Sequence, residues 1–405
     1  MQPKALRTYL PSDRALWLYS HLLYLLRSRP ELAATLCRSV CLSEIDQFLN
    51  IIILALHPSV SEGYLAFTFV RLVIQSQVLS TPELTSLFRL PTPFSRLLIV
   101  YTRREATLSY LKTALAGSLT RLADHPSLNI EINPMKVYAQ LLDTIMATNG
   151  SVPPELPQEV TMEEATMNED VHAIIVPRLA MLTAIASNIL ESVIDSLESV
   201  PYDIRWICGQ IKSGLQRQFP AACEEDIHSV VGQFFLQRLI IPAVNTPQEF
   251  CLIARIPSPN SWRTFTLVAT MLEGLITTSS SASADKLYMK PLIDPFVEAN
   301  RSRINTFLRK LCQVNDPDKD YLADLPETDR TITLTVNELY YIHSLLNKYI
   351  DNFVRLVHLS IALGLFEDLP DLDDNTPAQV PLADNAAVQL RVASRWDVTR
   401  TLVSD

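Results

Sequence analysis

Residues 107–123 read TLSYLKTALAGSLTRLA, and Leu108, Leu111, Leu115, Leu119 and Leu122 recur in them at spacings of three and four. That spacing gathers the apolar side chains on one face of a 3.6-residue helix. The same recurrence fills most of the chain, whereas alternation of the strand kind is nearly absent; ITLTV at 332–336 is its main exception. The expected fold class is therefore all-α, built of many helices. Their starts are marked in the sequence. Thr81-Pro82-Glu83 places a cap before a proline at a first helical position, and Thr161 with Glu164 and Thr335 with Glu338 have capping-box spacing. Prolines at 152–160 (VPPELPQEV) predict a loop before a long helical run from about 162 to 199, with the ladder Leu179, Leu182, Ile185, Ile189 and Ile194. Pro257–Ser261 and 277–286 punctuate the chain again. After Leu365 the composition turns acidic and proline-bearing, so the packed domain is expected to span 1–370 and residues 371–405 to form a flexible acidic tail or linker.

Composition excludes several functions. Only eight glycines occur in 405 residues, and the nearest approach to a phosphate-cradling loop, GQIKSGLQ at 209–216, lacks the Lys and Ser/Thr that should follow its second glycine. The chain is expected to bind no nucleotide by itself. Six cysteines without a CxxC pair and seven histidines without ligand spacing predict neither a metal site nor a disulfide framework. A net charge of −10 argues against a nucleic-acid partner. Uninterrupted apolar runs are short, Ile51–Leu56 among the longest, and Arg71 and Gln75 break the next rich stretch. No membrane-inserted helix is therefore expected. MQPKALRTYL at the start shows no secretory pattern, which makes the cytoplasm the expected location.

Two segments carry more pattern than a helical core requires. In LFRLPTPFSRLLIVY (87–101), Arg89 is followed by Thr92 and Ser95 before an apolar helix begins. In GQFFLQRLIIPAV (232–244), Arg238 sits on an apolar helix expected to stop at Pro242-Ala243. Together they resemble the two signature regions of the Ras GTPase-activating proteins: Leu87, Phe88, Arg89, Thr92 and Ser95 match the finger loop in order, and Arg238, Leu239, Pro242 and Ala243 match the second signature. Further matches are Pro201, Arg205 and Ile207, Arg263 and Thr264 with Leu267–Ala269, Tyr288-Met289, Pro295-Phe296 and Asn300. SLNIEINPMKVY (127–138), VPYDIRWICGQIKSGLQRQFPAA (200–222) and NELYYIHSLL (337–346) are similar to the IQGAP-related branch, so the resemblance covers about 10–370. It implies a RasGAP-like domain with a central catalytic helical core at 80–275 and flanking extra helices. IQGAP scaffolds carry Thr at the finger position. Arg89 here resembles the fungal-type members that act on Ras.

The resemblance implies a GTPase-activating protein that supplies Arg89 in trans to a Ras-type small GTPase. Negative charge grows on the phosphoryl oxygens as GTP is hydrolysed, and a planar, permanent cation that arrives only in the complex stabilises that charge selectively. In the Ras system itself, from which the magnitude is borrowed, such a finger contributes about 10³–10⁵ in rate. Arg238 would steady the finger loop, Thr92 and Ser95 would cap the helix after it, and Gln237, Leu239, Pro242, Ala243, Arg263, Thr270 and Asn300 would belong to the GTPase-binding groove. No cofactor of its own is implied, since GTP and Mg²⁺ belong to the partner. Gln237 stands where the family usually has Leu, and Thr270 where many members have Lys, which predicts weaker affinity, not lost chemistry. Pro91 fixes its φ and either stiffens or re-aims the loop. Arg103-Arg104 reads as a solvated helix start. The alternative implied by the same branch is a non-catalytic module that binds a GTP-loaded Rho-type GTPase and stabilises it. Recruitment to the inner face of the plasma membrane would follow from the partner.

Overall fold

The computed structural model describes residues 11–55, 63–151, 153, 156–276, 289–315, 330–349 and 385–392. In chain order these form α1 (Asp13–Ser28), α2 (Pro30–Ser39), α3 (Ile45–Asn50) running into a π-helical turn (Ile51–Ala55), and α4 (Gly63–Ser80). Next come α5 (Pro93–Thr102), α6 (Glu105–Ala123), α7 (Pro134–Asn149), α8 (Met162–Met167), α9 (Glu169–Asp195) and α10 (Tyr202–Gln218). Then α11 (Glu224–Gly232) continues through a π-helical segment (Gln233–Ile240) into α12 (Ile241–Asn245), followed by α13 (Pro259–Gly274) and α14 (Lys290–Leu311). Last are β1 (Arg330–Thr335), α15 (Val336–Lys348) and β2 (Ala387–Val392). The all-α expectation holds, with one two-stranded ribbon among the described residues.

The chain divides into two compact units, one of Met1–Val100 with Asn315–Asp405 and one of Tyr101–Val314. In the first, α1, α2 and α4 pack on one another around Leu18, Tyr19, Leu22, Leu36 and Phe69, all nearly or fully buried. The buried Tyr19 hydroxyl is 2.9 Å from His343 Nδ1 on α15, which gives this core one internal polar link. ITLTV does form a strand: β1 runs antiparallel to β2 from Arg330↔Val392 to Thr335↔Ala387, and Ile332, Leu334, Val388 and Leu390 turn inward. Residues 371–405, expected as tail, thus contain β2, while the expected boundary near 370 lies outside the described residues. Both capping boxes form, with the Thr335 N–H donating to Glu338 Oε2 at 2.7 Å and the Thr161 N–H to Glu164 Oε2 at 2.7 Å.

The Thr81-Pro82-Glu83 start needs correction. Only a 3-10 turn, Leu84–Ser86, follows it, and the Thr81 hydroxyl turns back to the Gln77 carbonyl at 2.7 Å to close the end of α4. Threonine is a local hydrogen-bonding residue, and here the preceding helix claims it.

In the second unit the π segment lies at the centre. Phe234, Phe235, Leu236, Leu239 and Ile240 are fully buried, and the Phe235 ring lies 6.5 Å from Tyr110 on α6 and 5.4 Å from Phe307 on α14. Leu111, Leu115 and Leu119 of the quoted α6 ladder are fully buried; Leu108 and Leu122 are half-buried at its margins. The run at 162–199 breaks at Asn168, whose side chain caps α9, and the buried face of α9 is Val171, Ile175, Leu182, Ala186, Ile189, Leu190 and Val193. Of the expected ladder it shares only Leu182 and Ile189. Pro242 does not end its helix, which continues to Asn245. The Ile241 N–H donates to the Leu236 carbonyl, five residues back, and this wider register draws the preceding turn away from the proline ring that would otherwise collide with it.

Two helices pass a length-and-composition test that the short apolar runs of the sequence do not suggest. Glu169–Asp195 and Glu224–Asn245 are long and apolar enough, by length and composition, to cross a bilayer. The second of these helices is mostly buried in its unit, whereas only 28% of the most apolar stretch of the first is.

Candidate functional site

The finger segment lies in the first unit, between α4 and α5. Leu87 and Phe88 are buried at 1% and 6% exposure, and the Phe88 ring stacks on Phe94 of α5 at 5.6 Å with 27° between planes. The Arg89 N–H donates to the Ser86 carbonyl at 3.2 Å, so the residue stands on a closed turn. On the other side, the Thr92 N–H donates to Ser95 Oγ at 2.9 Å and the Ser95 N–H to Thr92 Oγ1 at 3.2 Å. This reciprocal pair satisfies donors at the start of α5. Arg89, Leu90 and Pro91 are thereby left exposed between two anchored ends. No carboxylate pairs with Arg89 among the described residues. Leu90, which the sequence sets between the arginine and Pro91, is 68% exposed.

The second signature lies in the other unit. Gln237, Arg238 and Pro242 are half-buried on the π segment and α12, and burial pulls the Arg238 guanidinium below its ordinary pKa. The segment's π register is itself a local rarity, and such turns concentrate at functional positions. Packed beside α12, α13 carries Thr266, which donates to Asn245 Oδ1 at 3.3 Å, and the half-buried Thr270, whose hydroxyl is bonded to the Thr266 carbonyl at 2.9 Å. Leu239 and Ala243 are fully buried and Asn300 is 6% exposed, with its amide donating to the Phe296 carbonyl; these three support a surface from beneath and do not line one. Tyr288 lies outside the described residues.

Arg263 is committed to an internal partner. Its Nε and Nη2 each lie 2.7 Å from an oxygen of Glu131, in the fork geometry that a guanidinium offers a carboxylate. The Ile132 and Asn133 N–H groups also donate to Glu131 Oε1. Burial pushes this carboxyl up, but the Arg263 and Asn133 hydrogen bonds outweigh it and hold Glu131 below the usual carboxylate range. Arg104 is likewise not a solvated helix start: its Nη1 lies 3.6 Å from Asp203 Oδ2, buried at the start of α10, and its guanidinium lies over the Tyr101 ring. Only Arg103 of that pair faces water.

Among the described residues no group of His, Cys, Asp and Glu is arranged to hold a metal ion. What this geometry offers is an exposed cation on a braced loop in one unit, and in the other a half-exposed patch on the π segment, α12 and α13.

The family model described as GTPase-activator protein for Ras-like GTPase matches residues 69–277. The chain is 25% identical over 390 residues to the Ras GTPase-activating-like protein rgaA of Dictyostelium discoideum, covering 94% of this chain and 47% of that protein. It is 24% identical over 368 residues to the Ras GTPase-activating-like protein IQGAP3 of Homo sapiens, covering 87% and 22%. It is also 30% identical over 227 residues to the Ras GTPase-activating protein 1 of Bos taurus, covering 56% and 20%. The chain thus spans about half, or less, of the length of these relatives.

Proposed function

The chain belongs to the family of GTPase-activator proteins for Ras-like GTPases, and we propose that it accelerates GTP hydrolysis by a Ras-type small GTPase with Arg89 as a finger supplied in trans. The observation that carries this reading is the position of Arg89: exposed, without a carboxylate partner among the described residues, and standing between the Leu87/Phe88 anchor and the Thr92/Ser95 cap. A finger held on a fixed loop loses little freedom when it enters the partner's site. Once there, its guanidinium donates to phosphoryl oxygens as their charge grows, which lowers the barrier without binding the ground state equally well.

The chain contributes no nucleotide or metal of its own in this reading; GTP and Mg²⁺ arrive with the partner. Gln237, Pro242 and Thr270 form its outer contact surface for the GTPase, with Leu239 and Ala243 beneath. The role that the resemblance gives Arg238, steadying the finger loop, makes it a positioning residue. Its site of action is the cytoplasm, at membranes only where the partner brings it.

Single-turnover GTP hydrolysis by Ras-type and Rho-type GTPases, with and without this protein, tests the proposal. Acceleration of a Ras-type partner is expected, and Arg89→Ala abolishes it while the GTP-loaded partner still binds. Binding of a GTP-loaded Rho-type partner with no acceleration of any GTPase replaces this reading with the non-catalytic one. Arg238→Ala is expected to lower kcat with little change in KM.

A further inference from the structure

α9 carries two apolar faces, and only one of them is buried. Ala173, Val176, Pro177, Ala180, Met181 and Ala184 are all exposed, and their spacing places them on one stripe about three turns long, roughly 16 Å of helix. Val176 and Met181 are 50% and 47% exposed. α7 and α8 pack against α9 and add Met146 at 48% and Met167 at 83%. Apolar residues scattered singly over a surface need no partner, but a continuous stripe flanked by exposed methionines marks an interaction face.

Charge selects the occupant. Glu163, Glu164, Glu169, Asp170, Glu191 and Asp195 all lie exposed on α8 and α9. The single guanidinium on these two helices, Arg178, turns to the Glu131 carbonyl at 3.0 Å and Gln140 Oε1 at 3.1 Å. Of the rim carboxylates only Glu191 has a cation beside it among the described residues, Arg303 of α14 with Nη2 at 3.4 Å, so the rim keeps an acidic excess at Glu163, Glu164, Glu169, Asp170 and Asp195. Glu169 and Asp170 stand one turn before Ala173 and head the stripe. An anionic lipid surface is repelled by such a rim. A second copy of α9 laid antiparallel would bring Glu169 and Asp170 of one chain toward the Glu191–Arg303 pair of the other, which sets three carboxylates against one cation.

We propose that the exposed face of α9 docks an amphipathic helix with a basic flank from another protein. The partner's apolar side chains lie along the alanine and methionine stripe, and its lysines or arginines meet Glu169, Asp170 and the α8 carboxylates, the helix-on-apolar-face mode of recognition. The three alanines keep the stripe low, so that two helix axes approach closely, and the methionines adapt to side chains of differing shape. This face lies on the unit that does not contain Arg89, and its occupation does not depend on GTP hydrolysis.

The test titrates the full chain against a fluorescent leucine–lysine amphipathic peptide of about five turns, and against its leucine–glutamate counterpart. Saturable binding of the lysine peptide, weakened by salt, is expected, with none of the glutamate peptide. Val176→Glu/Met181→Glu and, independently, Glu169→Lys/Asp170→Lys each weaken it by at least about tenfold; Met181→Leu leaves it intact. All these positions are exposed, and an unchanged thermal melt checks that each variant folds. Equal binding of both peptides, or variants that bind like the original, overturns the proposal. So does a dimer in sedimentation equilibrium that Val176→Glu/Met181→Glu abolishes, or co-sedimentation with phosphatidylserine vesicles that the same change removes.

Discussion

Replacing Arg89 tests chemistry almost free of folding, because its side chain is exposed and the loop is held by its neighbours. Arg89→Ala is expected to lower the single-turnover rate by about 10³-fold or more, with melting temperature unchanged. Arg89→Lys recovers little of it, since an ammonium presents one compact charge where the guanidinium presents a planar set of donors. Leu90→Ala is expected to weaken partner binding by about 1 kcal/mol, read as roughly fivefold in KM with kcat retained, the cost of removing an exposed apolar contact that closes on association. At this scale the sequence showed the matches to the finger loop, because the residues around Arg89 lie within one short segment. It could not show that Arg263 is already occupied. Glu131 stands 132 residues away, and nothing local to either residue announces the pair.

Elements repeat that distinction between near and far. Capping boxes at Thr161 and Thr335 were legible because both partners sit three residues apart, and the π register around Arg238 was not, because no residue type demands it. Pro242 looked like a stop for that reason. The cap of α5 predicts a further result: Ser95→Ala removes a buried acceptor for the Thr92 N–H and is expected to cost about 1 kcal/mol, measured by urea unfolding. Between the loop before α7 and α13, Glu131→Ala leaves the Arg263 guanidinium without its carboxylate and is expected to cost about 3–5 kcal/mol. The same pair fixes a pH response. Glu131 titrates lower folded than unfolded, so its stabilisation is complete above the unfolded value of about 4.3 and is lost as pH falls through the folded one. Unfolding followed from pH 7 downward should show a loss of stability below about pH 4 that is smaller in Glu131→Gln.

The whole molecule is organised around a discontinuity. One unit takes Met1–Val100 and Asn315–Asp405, and the other is the intervening Tyr101–Val314. β2 belongs to the returning half, and its Val388 and Leu390 are nearly buried. A chain ended at residue 384 is therefore expected to lose about 3–6 kcal/mol and to melt earlier by calorimetry, because two apolar side chains and a strand edge return to water. Composition and helical period made the all-α class legible. The pairing of β1 with β2 was not, since it joins segments on either side of residues 336–386 and β2 sits in an acidic stretch that reads as linker. The same discontinuity sets a schedule during synthesis. At about 5–20 residues per second, the first hundred residues leave the ribosome roughly 10–40 s before residue 315 is made. In that interval Tyr101–Val314 has its own contacts in hand, whereas α1, α2 and α4 wait for β1, α15 and β2. Of these two units, the one that begins with Met1–Val100 is then the more in need of a chaperone, and a ribosome stalled in that window releases a segment that has nothing yet to close on.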